Sequence, residues 1–219
     1  MDEGFWAERW LQGQIGFHQN DVHEDLLKQA EAWLAGGPKV VLVPLCGKSV
    51  DLPWLAAQGH VVIGVELVEA AVEALFSSFG PGAAVEALGP YRRWTHPAAP
   101  GLAVLQGDCL QLGAVRAQLP AIDRVWDRAA LVALDAPRRA LYAATLIAAA
   151  PGADVLLNVF DYGPDLSQGP PHSVQAAELD RLYPDRPRRL VDERVEPASP
   201  GLKARGVDAL RTQTWRFVL

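Results

Sequence analysis

Between residues 39 and 160, short β-branched apolar runs alternate with helix-like stretches, and no other feature constrains the fold as tightly. Residues 39–43, 61–66 (VVIGVE), 102–105, 122–126 and 153–160 (ADVLLNVF) read as strands, while 51–58, 68–79 and 137–149 read as helices. Strands that are apolar throughout are buried on both faces, which implies parallel βαβ units with helices on either side. Right-handed crossovers then give a doubly wound, Rossmann-like α/β sheet. From residue 186 the pattern changes to period-2 alternation, ending in ALRTQTWRFVL, so two closing strands are expected to pair antiparallel. That makes about seven strands, mostly parallel with the last antiparallel. The Gly- and Pro-rich stretch 80–101 is expected to form a loop or a small hairpin.

Ahead of the sheet, residues 2–12 place Phe5, Trp6 and Trp10 on one helical side, and Gly13 and Gly16 break the pattern. A second amphipathic helix is expected over 22–34, closed by Gly36-Gly37-Pro38. Residues 1–36 are therefore expected to act as an N-terminal helical lid on a single domain spanning 1–219. Gly13 and Gly16 would be its hinges.

Charge and composition exclude several classes. The net charge is −6, from 20 Lys+Arg against 26 Asp+Glu, and a nucleic-acid partner is not expected without a basic face. Apolar stretches are interrupted well before the roughly 18 residues a membrane span needs, so no membrane association is expected either. Cys46 and Cys109 stand 63 residues apart with no CxxC, which argues against a disulfide framework and for a reducing, cytoplasmic setting. Five histidines offer no metal-ligand spacing, since His18 and His23 are five apart rather than four, and no metal is expected. Nothing in the pattern resembles an obligate interface, and a monomer is expected.

The motif Gly47-Lys48-Ser49 behind a buried strand invites a nucleotide triphosphate reading. A phosphate loop needs a second glycine five positions earlier, because two glycines let backbone N–H groups curl round the phosphates. That position is Leu42, and Pro44 removes a further donor. The dinucleotide fingerprint G-x-G-x-x-G is absent as well. Lys48 and Ser49 are better read as the approach to a helix.

In an open α/β sheet the ligand crevice lies beyond the carboxyl ends of the strands. Four successive strand ends here carry small or polar groups: the turn Pro44–Gly47, Glu66, Gly107-Asp108-Cys109, and Asp127-Arg128. Glu66 follows Gly47 by 19 residues, where a carboxylate can accept ribose hydroxyls. A ribose-bearing cofactor without a pyrophosphate fits such ends, and S-adenosylmethionine is one. Each residue also has a plainer reading: Glu66 as a solvated carboxylate, Asp108 as a helix cap, Arg128 as a partner of Asp127 or Asp123.

With these residues assembled, the chain resembles the thiopurine S-methyltransferase family, and its bacterial members in particular. The resemblance rests on FWAERWLQGQIGFHQ, VPLCGKSVDLPWLAAQGHVVIGVEL, the GDxL element at Gly107, WDRAALVAL and GPPHSV, in that order along nearly the whole chain. It implies a class I methyltransferase fold, S-adenosylmethionine as cofactor and S-adenosylhomocysteine as product. It further implies cofactor contacts from Trp10, Leu45, Glu66 and Arg128, with Trp6, Phe17, Asp108 and Cys109 also facing the cofactor beside the Gly47 turn. The same analogy puts Phe17 at the border of the acceptor pocket; His18, next to it in the sequence, is read independently of the family as facing the acceptor, as a weak general base or polarising donor. His172 and Gln111 depart from the family pattern, at places that bear on acceptor preference.

The implied reaction is S-methylation of an aromatic or heterocyclic thiol such as a thiopurine, extending to selenium or tellurium compounds. Methyl transfer from a sulfonium needs alignment and a dry site more than a strong base, and no catalytic base is assigned. Trp6 and Trp10 would cover the adenine or the sulfonium, a desolvated cation–π contact being worth about 2 kcal/mol; alternatively they staple the first helix to the core. Two alternatives remain open on the sequence: a halide or small-thiol methyltransferase, and an S-adenosylmethionine-binding protein without turnover.

Overall fold

The computed structural model describes residues 3–163 and 169–219; Asp2, where the first helix was expected to open, lies outside them. The chain divides into two compact units, Met1–Arg124 and Val125–Leu219. The first holds helices α1 (Glu3–Leu11) and α2 (Glu24–Trp33), strand β1 (Val40–Pro44), α3 (Asp51–Ala57), β2 (Val61–Glu66), α4 (Glu69–Ser77), β3 (Ala84–Leu88), β4 (Tyr91–Thr95) and β5 (Leu102–Gln106). A 3-10 segment, Cys109–Gln118, follows. Strand order in this unit is β3-β4-β5-β2-β1. β2 runs parallel to both β1 and β5, as the buried β-branched runs require, while β4 is antiparallel to β5 and β3.

Val41, Leu42, Val62, Val65 and Val104 are fully buried in these strands, against Leu52 and Leu55 of α3 and Val72 and Phe76 of α4. Close packing demands a glycine at position 64: a Cβ there would lie 2.7 Å from the Leu52 side chain and 2.8 Å from the Cys46 sulfur.

The second unit carries β6 (Arg124–Arg128), whose first residue closes the first unit, then α5 (Ala136–Ala149), β7 (Asp154–Asp161), α6 (Ala176–Leu182), β8 (Arg189–Pro197), α7 (Pro200–Lys203) and β9 (Ala209–Val218). β9 is antiparallel to β7 on one side and β8 on the other, as the period-2 tail predicts. Tyr142 and Leu146 of α5 and Leu156 and Leu157 of β7 are fully buried.

Two expectations need correction. Nine strands are described rather than seven, because the stretch 80–101 folds into the β3–β4 hairpin. The hairpin alternative expected for this stretch is the one that forms, but its strands escaped the count because β3 has no buried face: Ala84 to Ala87 are all exposed. The hairpin is held by its turn, with Gly89 at φ +55, and by the cross-strand pair Arg93–Glu86 at 2.8 Å. The expected lid also cannot extend over all of residues 1–36. Leu26 and Trp33 of α2 are fully buried, and the His23 N–H donates to Asp51 Oδ1 at 2.9 Å. Burying two such side chains contributes about 3–6 kcal/mol, so α2 belongs to the core. No described helix is long and apolar enough to cross a membrane.

Candidate functional site

The chain leaves β1 through a turn that only a constrained backbone can make. Leu45 sits at φ +48, in the left-handed region that costs a branched residue roughly 1–2 kcal/mol. Gly47 follows at φ +54, where glycine pays no such penalty. The Cys46 N–H donates to Val65 O at 3.0 Å, holding the turn against β2. Ser49 Oγ accepts the Asp51 N–H at 3.2 Å, so Gly-Lys-Ser does lead into a helix.

The turn is organised by Glu66 at the end of β2. Its Oε2 accepts the Gly47 N–H at 2.8 Å and its Oε1 accepts the Val68 N–H at 2.8 Å. The side chain is only 8 % exposed. Burial pushes its carboxyl above the ordinary carboxylate value, against the lowering effect of those backbone donors. The same burial, reinforced by the Glu66 charge, pushes the Cys46 thiol well up, so Cys46 is no nucleophile at neutral pH. Glu66 is thus more than the strand-end acceptor expected from the sequence: it already clamps two loops. The Leu67 N–H reaches the carboxylate too, and with about four lone-pair sites on the two oxygens some acceptor capacity remains.

The third strand end adjoins this clamp. The Gly107 N–H donates to Glu66 O at 2.8 Å, and Asp108 Oδ1 accepts the Leu110 N–H at 2.9 Å, capping the 3-10 segment. The capping reading of Asp108 therefore holds for that oxygen. Cys109 is buried. Tyr91, which sequence reasoning missed, supports the element: its hydroxyl donates to Asp108 O at 2.7 Å. Its ring lies 2.7 Å from where a Gly107 Cβ would stand, and burial raises its hydroxyl pKa. The only sequence signal was its place directly after Gly89-Pro90.

The N-terminal aromatics reach the same turn. Trp6 and Trp10 both meet Phe17 edge-on, with ring centroids 5.8 and 6.0 Å apart, and Phe5 packs edge-on against Trp6. Trp10 lies over Gly47, its Cζ2 3.3 Å from where a Cβ would be. Gly13, at φ +66, lets the chain turn back after α1 so that Phe17 reaches the tryptophans. Phe17 remains 44 % exposed, and half-buried His18 donates its N–H to Ile15 O at 2.8 Å. Trp6, Trp10, Phe17, Leu45, Gly47, Glu66 and Asp108 are thereby linked within the first unit.

Arg128 belongs to the second unit, at the end of β6, half-buried and followed by Ala129 at φ +58. Beside it Asp127 is fully buried, accepting the Tyr142 hydroxyl at 2.7 Å and the Ala130 N–H at 3.1 Å. His172 donates its N–H to Val132 O at 2.6 Å, and its imidazole pKa is lowered by burial and by the Arg139 charge. Gln111 is exposed in the first unit's 3-10 segment.

The family model described as Thiopurine S-methyltransferase (TPMT) matches residues 1–218. The chain belongs to the thiopurine S-methyltransferase family. It is 40% identical over 224 residues to a protein named thiopurine S-methyltransferase from Xanthomonas campestris pv. campestris, covering 99% of each chain. Among solved structures it resembles a SAM-dependent methyltransferase from Anabaena variabilis, with TM-score 0.65, 12% identity and coverage of 99% of this chain and 95% of that one. It also resembles the Burkholderia thailandensis 1,6-didemethyltoxoflavin-N1-methyltransferase with bound S-adenosylhomocysteine, at TM-score 0.58 and 17% identity, covering 98% and 86%. The chain is an S-adenosylmethionine-dependent methyltransferase of this family, with the α/β fold of such enzymes.

Proposed function

We propose that the chain methylates the sulfur of aromatic and heterocyclic thiols such as thiopurines, working as one domain, a monomer and a cytoplasmic enzyme. The observation that carries this reading is the Glu66 clamp beneath Trp10. A buried carboxylate under an aromatic cover suits a ligand with ribose hydroxyls and a positive charge, and repels one bearing phosphates. The donor set therefore fits S-adenosylmethionine, which when bound supplies a methyl group on a sulfonium. Glu66 would accept ribose hydroxyls, and Leu45, Gly47, Asp108 and Cys109 would border the cofactor. Arg128 would hold a charged or polar end of it.

Trp6 and Trp10 would exclude water, and Phe17 with His18 would orient the acceptor. Alignment within a dry site supplies most of what an in-line displacement at carbon needs. The thiol proton leaves to solvent before attack, and no residue is assigned as its base. The mobile cover is proposed as the segment through His18, with α2 remaining in the core.

Selenium and tellurium compounds extend the proposal, being softer nucleophiles than sulfur. The test is isothermal titration with S-adenosylmethionine and S-adenosylhomocysteine, then mass spectrometry over a panel of aromatic thiols, selenite and iodide. Binding with methylated thiol supports the proposal. Methyl iodide as the sole product would make the chain a halide methyltransferase, and binding without product on any acceptor would leave a cofactor-binding protein.

A further inference from the structure

Asp127 is fully buried, as is Tyr142 of α5, whose hydroxyl donates to Asp127 Oδ2 at 2.7 Å. Oδ1 accepts the Ala130 N–H at 3.1 Å. The Leu131 N–H donates to the carboxyl as well, yet keeping a carboxyl group in such a place is expensive, and three neutral donors only partly offset the desolvation. An apolar residue would pack there at lower cost, so the group must accomplish something that packing does not.

What it accomplishes is visible in the backbone that follows. Ala129 is held at φ +58, in the left-handed region, where alanine has no intrinsic reason to be. Its N–H donates to Asn158 O at 3.1 Å, and Ala130 then caps the 3-10 turn Leu131–Ala133. Asn158 is itself buried and donates to Thr214 Oγ1 at 3.0 Å. Residues 127, 129 and 130 are thus each tied to a buried partner, and Arg128 lies between them.

We propose that Asp127 is a positioning residue: through Tyr142 and Ala130 it holds the strained turn that orients the Arg128 guanidinium toward the cofactor. This rests on the reading of Arg128 as a cofactor contact. Asp127 acts through Arg128 and touches no reacting atom.

The test is a double-mutant cycle read by isothermal titration with S-adenosylhomocysteine, on folded protein verified by near-ultraviolet circular dichroism. Arg128→Ala is expected to weaken binding about tenfold or more, and Tyr142→Phe about three- to tenfold. Asp127→Asn should bind more tightly than Asp127→Ala, because its amide oxygen still accepts the Ala130 N–H and the Tyr142 hydroxyl can turn to accept from its NH2. The Asp127→Ala/Arg128→Ala double variant should bind no more weakly than Arg128→Ala alone, a non-additivity that mere destabilisation does not produce.

Losses that multiply in the double variant overturn the proposal, as does wild-type affinity in Tyr142→Phe. Wild-type affinity in Arg128→Ala overturns it as well, while leaving cofactor binding by the protein intact. Absence of any binding by the wild-type protein would instead strike the functional reading itself. Tyr142→Phe keeps the question open to refutation if Asp127→Ala does not fold.

Discussion

Glu66→Gln keeps the shape of the side chain and removes its charge, and the structure says where the cost falls. Both carboxylate oxygens accept a backbone N–H at 2.8 Å, from Gly47 and from Val68. An amide has one acceptor oxygen, so whichever way it faces, one of those N–H groups meets another donor. A hydrogen bond to a charged group contributes about 1.5–3 kcal/mol, and a buried donor left unsatisfied costs about 1–3 kcal/mol. Relief of the buried charge, the cause of the raised Glu66 pKa, offsets part of this. The net loss should be about 2–3 kcal/mol. For a chain of this size that is a fall in Tm of roughly 4–12 °C. Urea unfolding should show a lower midpoint at unchanged slope, and titration should show affinity for S-adenosylhomocysteine reduced about tenfold or more. A variant with the wild-type midpoint and slope would refute the clamp, because the turns would then be held without the carboxylate.

Trp10→Ala removes an edge-on partner of Phe17 and the ring over Gly47; cofactor affinity should fall about tenfold while the ligand-free Tm drops by less than about 3 °C, and a large drop would make Trp10 a structural staple. Gly47→Ala places a Cβ 3.3 Å from Trp10 at φ +54, and should cost about 1–2 kcal/mol in urea unfolding along with weaker binding; unchanged stability would refute the strain. Gly64→Ala meets Leu52 at 2.7 Å and should lose about 1–3 kcal/mol by overpacking, which the urea midpoint reads directly. Burial raises Asp127 from 3.8 to about 7, so between those values the folded chain holds a proton that the unfolded chain releases. The resulting stabilisation is full below the lower value and gone above the upper, so stability should fall by about 4 kcal/mol as pH rises through that window. Asp127→Asn should flatten the slope, and an equal slope in the variant would refute the assignment.

The parts legible in the sequence were those written by burial on both faces. β1, β2, β5 and β7 appear within a residue or so of where their β-branched runs place them, because a strand covered on both sides has no polar face to blur the pattern. β6 starts two residues later than its apolar run, since Asp123 spends its N–H and a carboxylate oxygen on Val40 before the strand begins. The strands of the β3–β4 hairpin were harder to read because they are held by cross-strand pairs at the surface, and the helix Ala176–Leu182 because Leu179 is its one buried residue, which gives no period. Glu66 was legible as a strand-end acidic residue, but its two backbone donors were not, since they are set by how two turns converge. Tyr91 left only its place after Gly89-Pro90 as a signal, because its role depends on the missing side chain of Gly107.

The Gly-Lys-Ser motif shows what such convergence decides. In a phosphate loop the turn's N–H groups face outward and are satisfied by the ligand's negative charge. Here the Gly47 N–H is already satisfied, by a carboxylate from the neighbouring strand of the same chain. The internal anion stands where an external one would be needed, and an incoming phosphate would meet it at close range in a partly desolvated site, where like charges repel by several kcal/mol. The Trp10 ring stands on the other side of the glycine, its Cζ2 3.3 Å from where a Cβ would be, and crowds the space a phosphate cradle would use. One residue, Glu66, thus withdraws the turn from triphosphate chemistry, which is the ground on which a positively charged, ribose-bearing ligand is proposed for it.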